Sequence, residues 1–196
     1  MNKALAEHIT KEDIQQLPLQ AFEGEIIVVD TLESCHTAVK ELRKETFIGF
    51  DTETKPAFNK GEYNPTALVQ LSTPEKAFLF RLNKIGYPQA LFSLFEDEEI
   101  TKLGISISDD LKDLQKLKTF TQKGFIDLND TARSIGIPHI GVRKLAAIVL
   151  EHRISKSQQV TNWENENLSP GQQRYAATDA WICLEIHQEL SRKGYI

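Results

Sequence analysis

The stretch FIGFDTE, residues 47–53, changes character halfway along its length. Its first four residues suit a buried strand, and Asp51, Thr52 and Glu53 follow them directly. Because side chains alternate between the two faces of a strand, Asp51 and Glu53 share one face. Two carboxylates at the end of a buried strand repel each other and lose hydration, and a divalent cation would relieve both costs. The stretch therefore predicts a strand that ends in a candidate metal site.

A solvent-exposed strand end with two ordinary acidic residues explains the same pattern. A lone Asp-x-Glu is common, so by itself it does not separate the two interpretations. The rest of the chain must supply further acids in positions that the fold brings together.

Four other segments are rich in apolar and β-branched residues and predict strands, at 25–30, 67–73, 76–82 and 101–107. Helical patterns run from Thr31, a predicted N-cap, to about Lys44, and also cover 88–97 and 109–118. A tight turn at Thr73–Pro74 joins two strands, which indicates antiparallel pairing in part of the sheet. We therefore predict an α/β fold with a mixed central β-sheet flanked by helices.

After residue 118 the pattern is mostly helical. Helices are predicted over 126–136 and 142–152, followed by a last helix with Ser169 as N-cap and Pro170 at its first position. Residues 1–24 predict a short helix and an extended arm broken at Pro18. The length of 196 residues then favours a single further domain over 25–196.

A second acidic pair stands in GISISDDLKDL, where a predicted strand leads into a helix. Acids at a helix start are favoured by the helix dipole, so both aspartates have an ordinary explanation as capping residues. Asp110 shares a helix face with Leu114 and Leu117, whereas Asp109 lies on a polar stripe with Asp113. If one of the two faces a site, helix geometry favours Asp110.

The third acidic element is RYAATDA, residues 174–180, in the last helix. Tyr175 and Asp179 are four residues apart, so their side chains project from one side of the helix. An isolated pair of this kind fits a local hydrogen bond or a solvent-facing contact. The order DxE, then Asp, then YxxxD is more specific than any of its parts.

These motifs resemble those of the DEDD-type 3′–5′ exonucleases, in the tyrosine branch that includes ribonuclease D and the Werner syndrome exonuclease domain. The resemblance covers residues 25 to 190 and rests on FDTE (50–53), ALVQLS (67–72), GISISDD (104–110), KSQQVTNW (156–163) and RYAATDA (174–180). A sister branch has histidine five residues before the last aspartate, where this chain has Arg174. The resemblance implies a ribonuclease H-like fold. It also implies a metal site of four acids, Asp51, Glu53, Asp110 and Asp179, with Tyr175 as a catalytic residue.

The implied reaction is hydrolysis of phosphodiester bonds at the 3′ ends of DNA or RNA, releasing nucleoside 5′-monophosphates. Two cations about 3.5–4 Å apart serve such a displacement, and carboxylates suit Mg²⁺ or Mn²⁺. Asp51 would bridge the ions, Glu53 and Asp179 would hold the ion nearest the attacking water, and Asp110 would help to place the other. A phenol is a poor base at neutral pH, so we expect Tyr175 to orient the water.

Substrate contacts are expected at Thr52, Gln70, Leu71 and Lys156, although Leu71 fits a core position better than a substrate contact. Phe58 and Tyr63 could stack on a base or simply pack. The other candidate phosphate contacts are basic residues, each of which also fits a solvated surface charge: Lys55, Lys60, Arg143, Lys144 and Arg153.

Composition limits the function classes. The net charge of −5 argues against a protein that coats nucleic acid through a general positive field, but allows a local basic rim. The chain has neither an apolar run of membrane-spanning length nor a signal-peptide core, and its two cysteines form no CxxC, so a cytoplasmic location is expected. The histidines have no ligand spacing, and the phosphate-binding GxxxxGK[ST] motif is missing, so neither zinc nor a nucleotide triphosphate is expected as cofactor.

Two other functions fit the same sequence. The first is a catalytically weak or inactive module that binds nucleic acid or protein on the same fold. The second is an unrelated α/β function in which the acids coincide by chance. The presence of all four acids and the tyrosine favours the nuclease.

Overall fold

The computed structural model of the protein describes residues 5–59, 61–138 and 140–196. Residues 1–4 of the predicted arm, the predicted phosphate contact Lys60, and His139 lie outside these ranges. Within the described ranges, six strands form one sheet: β1 (Glu25–Val29), β2 (Phe47–Thr54), β3 (Thr66–Ser72), β4 (Lys76–Arg81), β5 (Thr101–Gly104) and β6 (Phe125–Asp127). The helices there are α1 (Lys11–Gln16), α2 (Leu32–Leu42), α3 (Leu82–Ile85), α4 (Gln89–Phe95), α5 (Ser108–Leu117), α6 (Leu128–Ser134), α7 (Val142–Leu150) and α8 (Pro170–Arg192).

The sheet is mixed, as the sequence predicted. Its strand order is β1-β4-β3-β2-β5-β6, with β3 antiparallel to both β2 and β4 and the other neighbours parallel. Helices cover both faces. One face packs on α2, α4 and the apolar side of α5, and the other packs on α7 and α8. The predicted α/β class with a ribonuclease H-like arrangement is therefore confirmed.

Local sequence signals set several of the helix ends. Thr31 and Ser169 cap α2 and α8 through capping boxes, as predicted for both N-caps, and Pro170 is the first residue of α8. The helix α7 ends at Leu150, two residues before its predicted end, because Glu151 adopts a left-handed conformation with φ of 57°.

Two other predicted elements also differ from the structure. The strand predicted over 101–107 ends at Gly104, because the chain turns sharply at Ser106, where φ is 61°. The helix predicted over 126–136 begins at Leu128, and residues 125–127 instead form the edge strand β6. Three residues are too few to show the alternation by which a strand is recognised in a sequence.

The N-terminal arm packs on the rest of the chain. Thr10 caps α1, and Leu19 forms a parallel bridge with Arg153. The division into an arm of residues 1–24 and a domain of 25–196 remains a prediction. Both cysteines are free and buried. No described helix is long and apolar enough to cross a membrane.

Candidate active site

The strand β2 holds Asp51, Thr52 and Glu53 at an opening in the middle of the sheet. On one side, β2 pairs with β3 along almost its whole length. On the other side, its pairing with β5 stops at Gly49, which lies opposite Leu103. Beyond Gly49, no strand in the described part of the chain pairs with that edge of β2, and side chains from the following helices can reach it.

The helix α8 lies directly against β2 because small residues allow a close approach. A Cβ atom on Gly49 would lie 2.0 Å from the carbonyl oxygen of Ala180, so only glycine fits there. Ala176 and Ala177 on the same helix are fully buried. This contact places Asp179, which is only 8% exposed, beside the end of β2.

The carboxylates of Asp51, Glu53 and Asp179 form one cluster. One oxygen from each lies within 4.8 Å of the other two, in an arrangement able to hold a metal ion. The alternation of β2 therefore puts Asp51 and Glu53 on the same face, and α8 adds the third acid. Of the four acids predicted to form the metal site, these three converge into one group.

Burial and mutual repulsion raise the pKa of each acid in the cluster. Desolvation raises the pKa of Glu53 to about 9, with further contributions from Asp179 and Asp110. Desolvation likewise raises the pKa of Asp179 to about 7, although Tyr175 and Arg143 oppose the shift. The pKa of Asp51 is raised well above its ordinary value, first by desolvation and then by Asp179. Such a cluster favours a bound cation, whose charge would stabilise the ionised forms.

Tyr175 stands one turn before Asp179 on α8, both side chains line the same cleft, and the phenol lowers the pKa of the neighbouring Asp179 carboxyl. The Tyr175 ring is tilted against Trp163, with 6.0 Å between ring centroids, and Trp163 is fully buried. Desolvation and then the charge of Asp179 raise the pKa of the phenol above its ordinary value. The hydroxyl therefore stays protonated at neutral pH, where it can orient a neighbouring group but cannot act as a base.

The two aspartates at the start of α5 have different surroundings. Asp109 is exposed and pairs with Lys112, with 2.8 Å between its carboxylate and the ammonium. Asp110 is half-buried, and Thr52 of β2 donates a hydrogen bond to its carboxylate. Desolvation raises the pKa of Asp110. Asp110 is thus the acid of this pair that faces the cluster, although its oxygens lie outside the three-residue group.

The predicted substrate contacts differ in accessibility. Thr52 is half-buried beside the acids, and Lys156 is exposed. Gln70 and Leu71 are fully buried, so neither side chain can touch a substrate unless the structure opens. Leu71 belongs to the core, while Gln70 lies opposite Asp51 and both polar atoms of its amide lack a partner among the described residues. Side-chain contacts from these two residues are therefore not supported by the structure.

Two aromatic residues lie in the loop after β2. Phe58 is 80% exposed, the largest exposure among the described large hydrophobic residues. Tyr63 is 54% exposed and lies beneath Lys116, with 5.1 Å from the ammonium to the ring centroid. Lys55 forms a loose surface ion pair with Glu164, with 3.9 Å between the ammonium nitrogen and a carboxylate oxygen.

A cleft of about 590 Å³ opens beside Tyr175 and Asp179. The helices α1 and α7 form parts of its wall, together with the segment around residues 153–159. Five basic side chains line the cleft, and no described acidic residue forms a salt bridge with any of them: Lys11, Arg143, Lys144, Arg153 and Lys156. A positive surface thus adjoins the acidic cluster in a chain whose net charge is −5.

Sequence reasoning missed three contributors to this region. The first is the N-terminal arm, which forms part of the cleft wall. The others are Asp127 and Asn129, whose side chains bond to the turn that precedes α5. The only local signal for the last two was the polar run at the end of a three-residue strand, which resembles an ordinary helix cap.

Comparison with known proteins agrees with this geometry. The chain is 29% identical over 202 residues to the Mus musculus bifunctional 3′–5′ exonuclease/ATP-dependent helicase WRN, covering 98% of this chain and 14% of that protein. It is 33% identical over 163 residues to the putative 3′–5′ exonuclease R431 of Acanthamoeba polyphaga mimivirus, covering 75% of this chain and 40% of that one. The chain thus spans less than half of either relative.

Solved structures show the same fold. The EXO domain of Aedes aegypti Nibbler superposes with a TM-score of 0.81 at 23% identity, covering 89% of this chain and 92% of that one. Escherichia coli ribonuclease D gives a TM-score of 0.78 at 24% identity, covering 86% and 45%. The family model described as 3′–5′ exonuclease matches residues 26–194. That match takes in nearly the whole chain and every residue of the acidic cluster, and the chain therefore belongs to the 3′–5′ exonuclease family that its motifs indicated.

Proposed function

We propose that this chain is an active 3′–5′ exonuclease that depends on divalent cations and hydrolyses phosphodiester bonds at the 3′ ends of DNA or RNA. The observation that carries the proposal is the cluster of Asp51, Glu53 and Asp179, with Tyr175 one helical turn from its third member. Membership of a nuclease family supports the reaction class, and the cluster supplies the groups that the reaction needs.

The residues fit a pair of Mg²⁺ or Mn²⁺ ions. Three convergent carboxylates are hard oxygen donors of the kind that both ions prefer. Their raised pKa values show that they are arranged at an energetic cost that a positive charge would offset. Asp51 would be shared between the ions, Glu53 and Asp179 would complete one site, and Asp110 would help to hold the second. When bound, the ions would acidify the attacking water and stabilise the leaving 3′-oxygen.

Tyr175 would orient the attacking water. In the reaction, a water oxygen attacks the last phosphorus, and the bond from that phosphorus to the 3′-oxygen of the preceding nucleotide breaks. The 3′-oxygen takes up a proton, and the terminal nucleotide leaves as a 5′-monophosphate. Because its pKa is raised, the phenol remains a neutral hydrogen-bond partner throughout and fixes the direction of attack.

The basic cleft would bind the strand that leads to the 3′ end. Phosphate groups bind to lysine and arginine side chains, and the five basic residues of the cleft have no competing salt bridge to a described acid. Arg153 is held in place by the arm, because its Nε donates to the Leu17 carbonyl over 3.0 Å. Thr52 and Lys156 would contact the terminal nucleotide and its phosphate. Exposed Phe58 would stack on a base near the open edge of β2.

Whether the substrate is DNA or RNA is a question for experiment. The relatives named above include a combined exonuclease and helicase and an exoribonuclease described as acting in structured RNA processing, so both DNA and RNA are reasonable substrates. An inactive binding module on the same fold is the second candidate. It would retain affinity for nucleic acid through the cleft and would leave every end intact.

The deciding experiment is an end-labelled degradation assay. Matched single-stranded and duplex DNA and RNA would be incubated with Mg²⁺, Mn²⁺ or chelator, alongside an Asp51→Ala/Asp179→Ala variant. We expect a ladder that shortens from the 3′ end and disappears with chelator and in the variant. Intact substrates in every lane, together with nucleic-acid binding, would instead establish the binding module.

A further inference from the structure

The helix that carries Asp110 has no cap of its own. Its N-cap residue, Ile107, has no side-chain capping bond, and the preceding Ser106 has a left-handed φ of 61°, which is costly for a residue other than glycine. A carboxylate from another strand takes the place of a cap. Asp127 accepts hydrogen bonds from the backbone amides of Ser106 and Ile107, at 3.0 and 3.2 Å.

Asp127 and Asn129 are themselves fixed. Asp127 ends β6 opposite Gly104, and its carboxylate also accepts a hydrogen bond from the backbone N–H of Asn129 at 2.9 Å. The Asn129 side chain is 1% exposed and uses both of its polar atoms. Its Nδ2 donates to Ser106 Oγ at 3.0 Å, and its Oδ1 accepts from the Ile140 amide at 2.9 Å.

The turn that these two residues hold leads directly to the candidate site. Asp110 lies in the first turn of α5, three residues after Ile107, and its carboxylate accepts the hydroxyl of Thr52. Thr52 stands between Asp51 and Glu53 on β2. A continuous set of hydrogen bonds and backbone therefore connects β6 to the acidic cluster.

We propose that Asp127 and Asn129 are positioning residues that hold the start of α5 so that Asp110 can help to bind the second cation. The inference rests on the proposed function, because it assigns a cation to Asp110. Groups that orient metal ligands commonly change metal affinity or activity by about 10–100-fold when they are removed. A purely structural role would instead lower thermal stability and leave the affinity of the folded protein for cations unchanged.

The test is the Asp127→Asn variant, with Asp130→Asn as its matched control. Asn keeps the size of the side chain, but its amide group would face the Ile107 N–H, so one of the two bonds to the turn is lost. Asp130 lies three residues further on, is exposed, and pairs only with Arg133 among the described residues. Mn²⁺ binding to each folded protein would be measured by calorimetry, without any nucleic acid.

We expect Asp127→Asn to weaken one of two Mn²⁺ sites by about 10–100-fold while Asp130→Asn matches the wild type. Equal affinities in Asp127→Asn and Asp130→Asn would overturn the proposal. If Asp127→Asn does not fold, Ser106→Ala decides, because it removes only the acceptor for Asn129 and should weaken the same site to a smaller degree. Unchanged Mn²⁺ affinity in that variant would also overturn it. Mn²⁺ affinity is measured without turnover. A wild-type protein that binds Mn²⁺ but degrades nothing would therefore refute the proposed activity and leave the positioning role of Asp127 and Asn129 to be decided by the affinities.

Discussion

Tyr175 and Asp179 lie one turn apart on α8, and each of the two side chains shifts the pKa of the other. Asp179 is also a member of the acidic cluster, so the phenol is held next to the groups that would bind a cation. The contact links a side chain that cannot ionise at neutral pH to one whose pKa is about 7.

Replacing Tyr175 with Phe should therefore reduce turnover by about 10²-fold or more, while cation binding stays close to that of the wild type. The phenyl ring keeps the packing against Trp163, and only the hydroxyl is lost. Single-turnover rates and Mn²⁺ calorimetry would measure the two quantities separately. Wild-type turnover in this variant would show that the hydroxyl has no part in the reaction.

The two aspartates at the start of α5 should respond differently to removal. Asp110→Ala should lower the exonuclease rate by at least about 100-fold, because the half-buried carboxylate faces Thr52 and the cluster. Asp109→Ala should leave the rate within about twofold of wild type, because exposed ion pairs such as the one with Lys112 contribute little. Steady-state rates at saturating Mg²⁺ would compare them. A larger loss from Asp109→Ala would mean that the helix presents its other face.

The acidic cluster should make the protein less stable at high pH when cations are chelated. The pKa of Glu53 rises on folding from an ordinary value of 4.5 to about 9, so the folded state binds the extra proton in this interval. The stabilisation from that proton is complete below pH 4.5 and is lost as pH rises to about 9.

Asp51→Asn should remove repulsion in the cluster, and Tm measured in chelator should then exceed that of the wild type by an amount that grows with pH. A gain of about 1 kcal/mol would raise Tm by about 2–4 °C for a chain of this size. The variant should lose exonuclease activity at the same time. A difference in Tm that shrinks with rising pH would contradict the assigned pKa shifts.

Gln70 and Gln172 form a matched pair of buried amides with opposite predictions. Both polar atoms of the Gln70 amide lack described partners, so Gln70→Met should keep or raise the free energy of unfolding, by up to about 1 kcal/mol. The Gln172 amide bonds to Ser169, Thr161 and Asn162, so Gln172→Met should lower it by about 1–3 kcal/mol. Urea unfolding of both variants would test this. A strong loss in Gln70→Met would reveal a partner for its amide, such as an ordered water.

The basic cleft should control affinity for nucleic acid. Lys156→Gln and Arg153→Gln should each raise KM with little change in kcat, and should reduce the dependence of log affinity on log salt by about one unit. Lys40→Gln is the control, because Lys40 is exposed on α2, the helix that covers the opposite face of the sheet. Salt titrations of binding in chelator would give the slopes. Identical slopes in all three variants would place the strand elsewhere.

Local patterns in the sequence were sufficient to predict the features that depend on backbone geometry. Alternation along β2 put Asp51 and Glu53 on one face, and helical spacing put Tyr175 beside Asp179. Capping residues gave the starts of α2 and α8, and the order of the motifs gave the family. Each of these signals lies within a few residues of chain, where backbone geometry alone sets which side chains are neighbours.

Other features depend on contacts between distant segments, and these became visible in the folded chain. The early end of β5 leaves one edge of β2 open, and Asp110 of α5 accepts a hydrogen bond from Thr52 there. The edge strand β6 supplies Asp127 to the turn before α5. The burial of Gln70 follows from the packing of helices on the sheet, and the cleft wall includes an arm that the sequence set apart from the domain. These relationships join residues far apart in the chain, and packing between elements fixes them, so no local pattern encodes them.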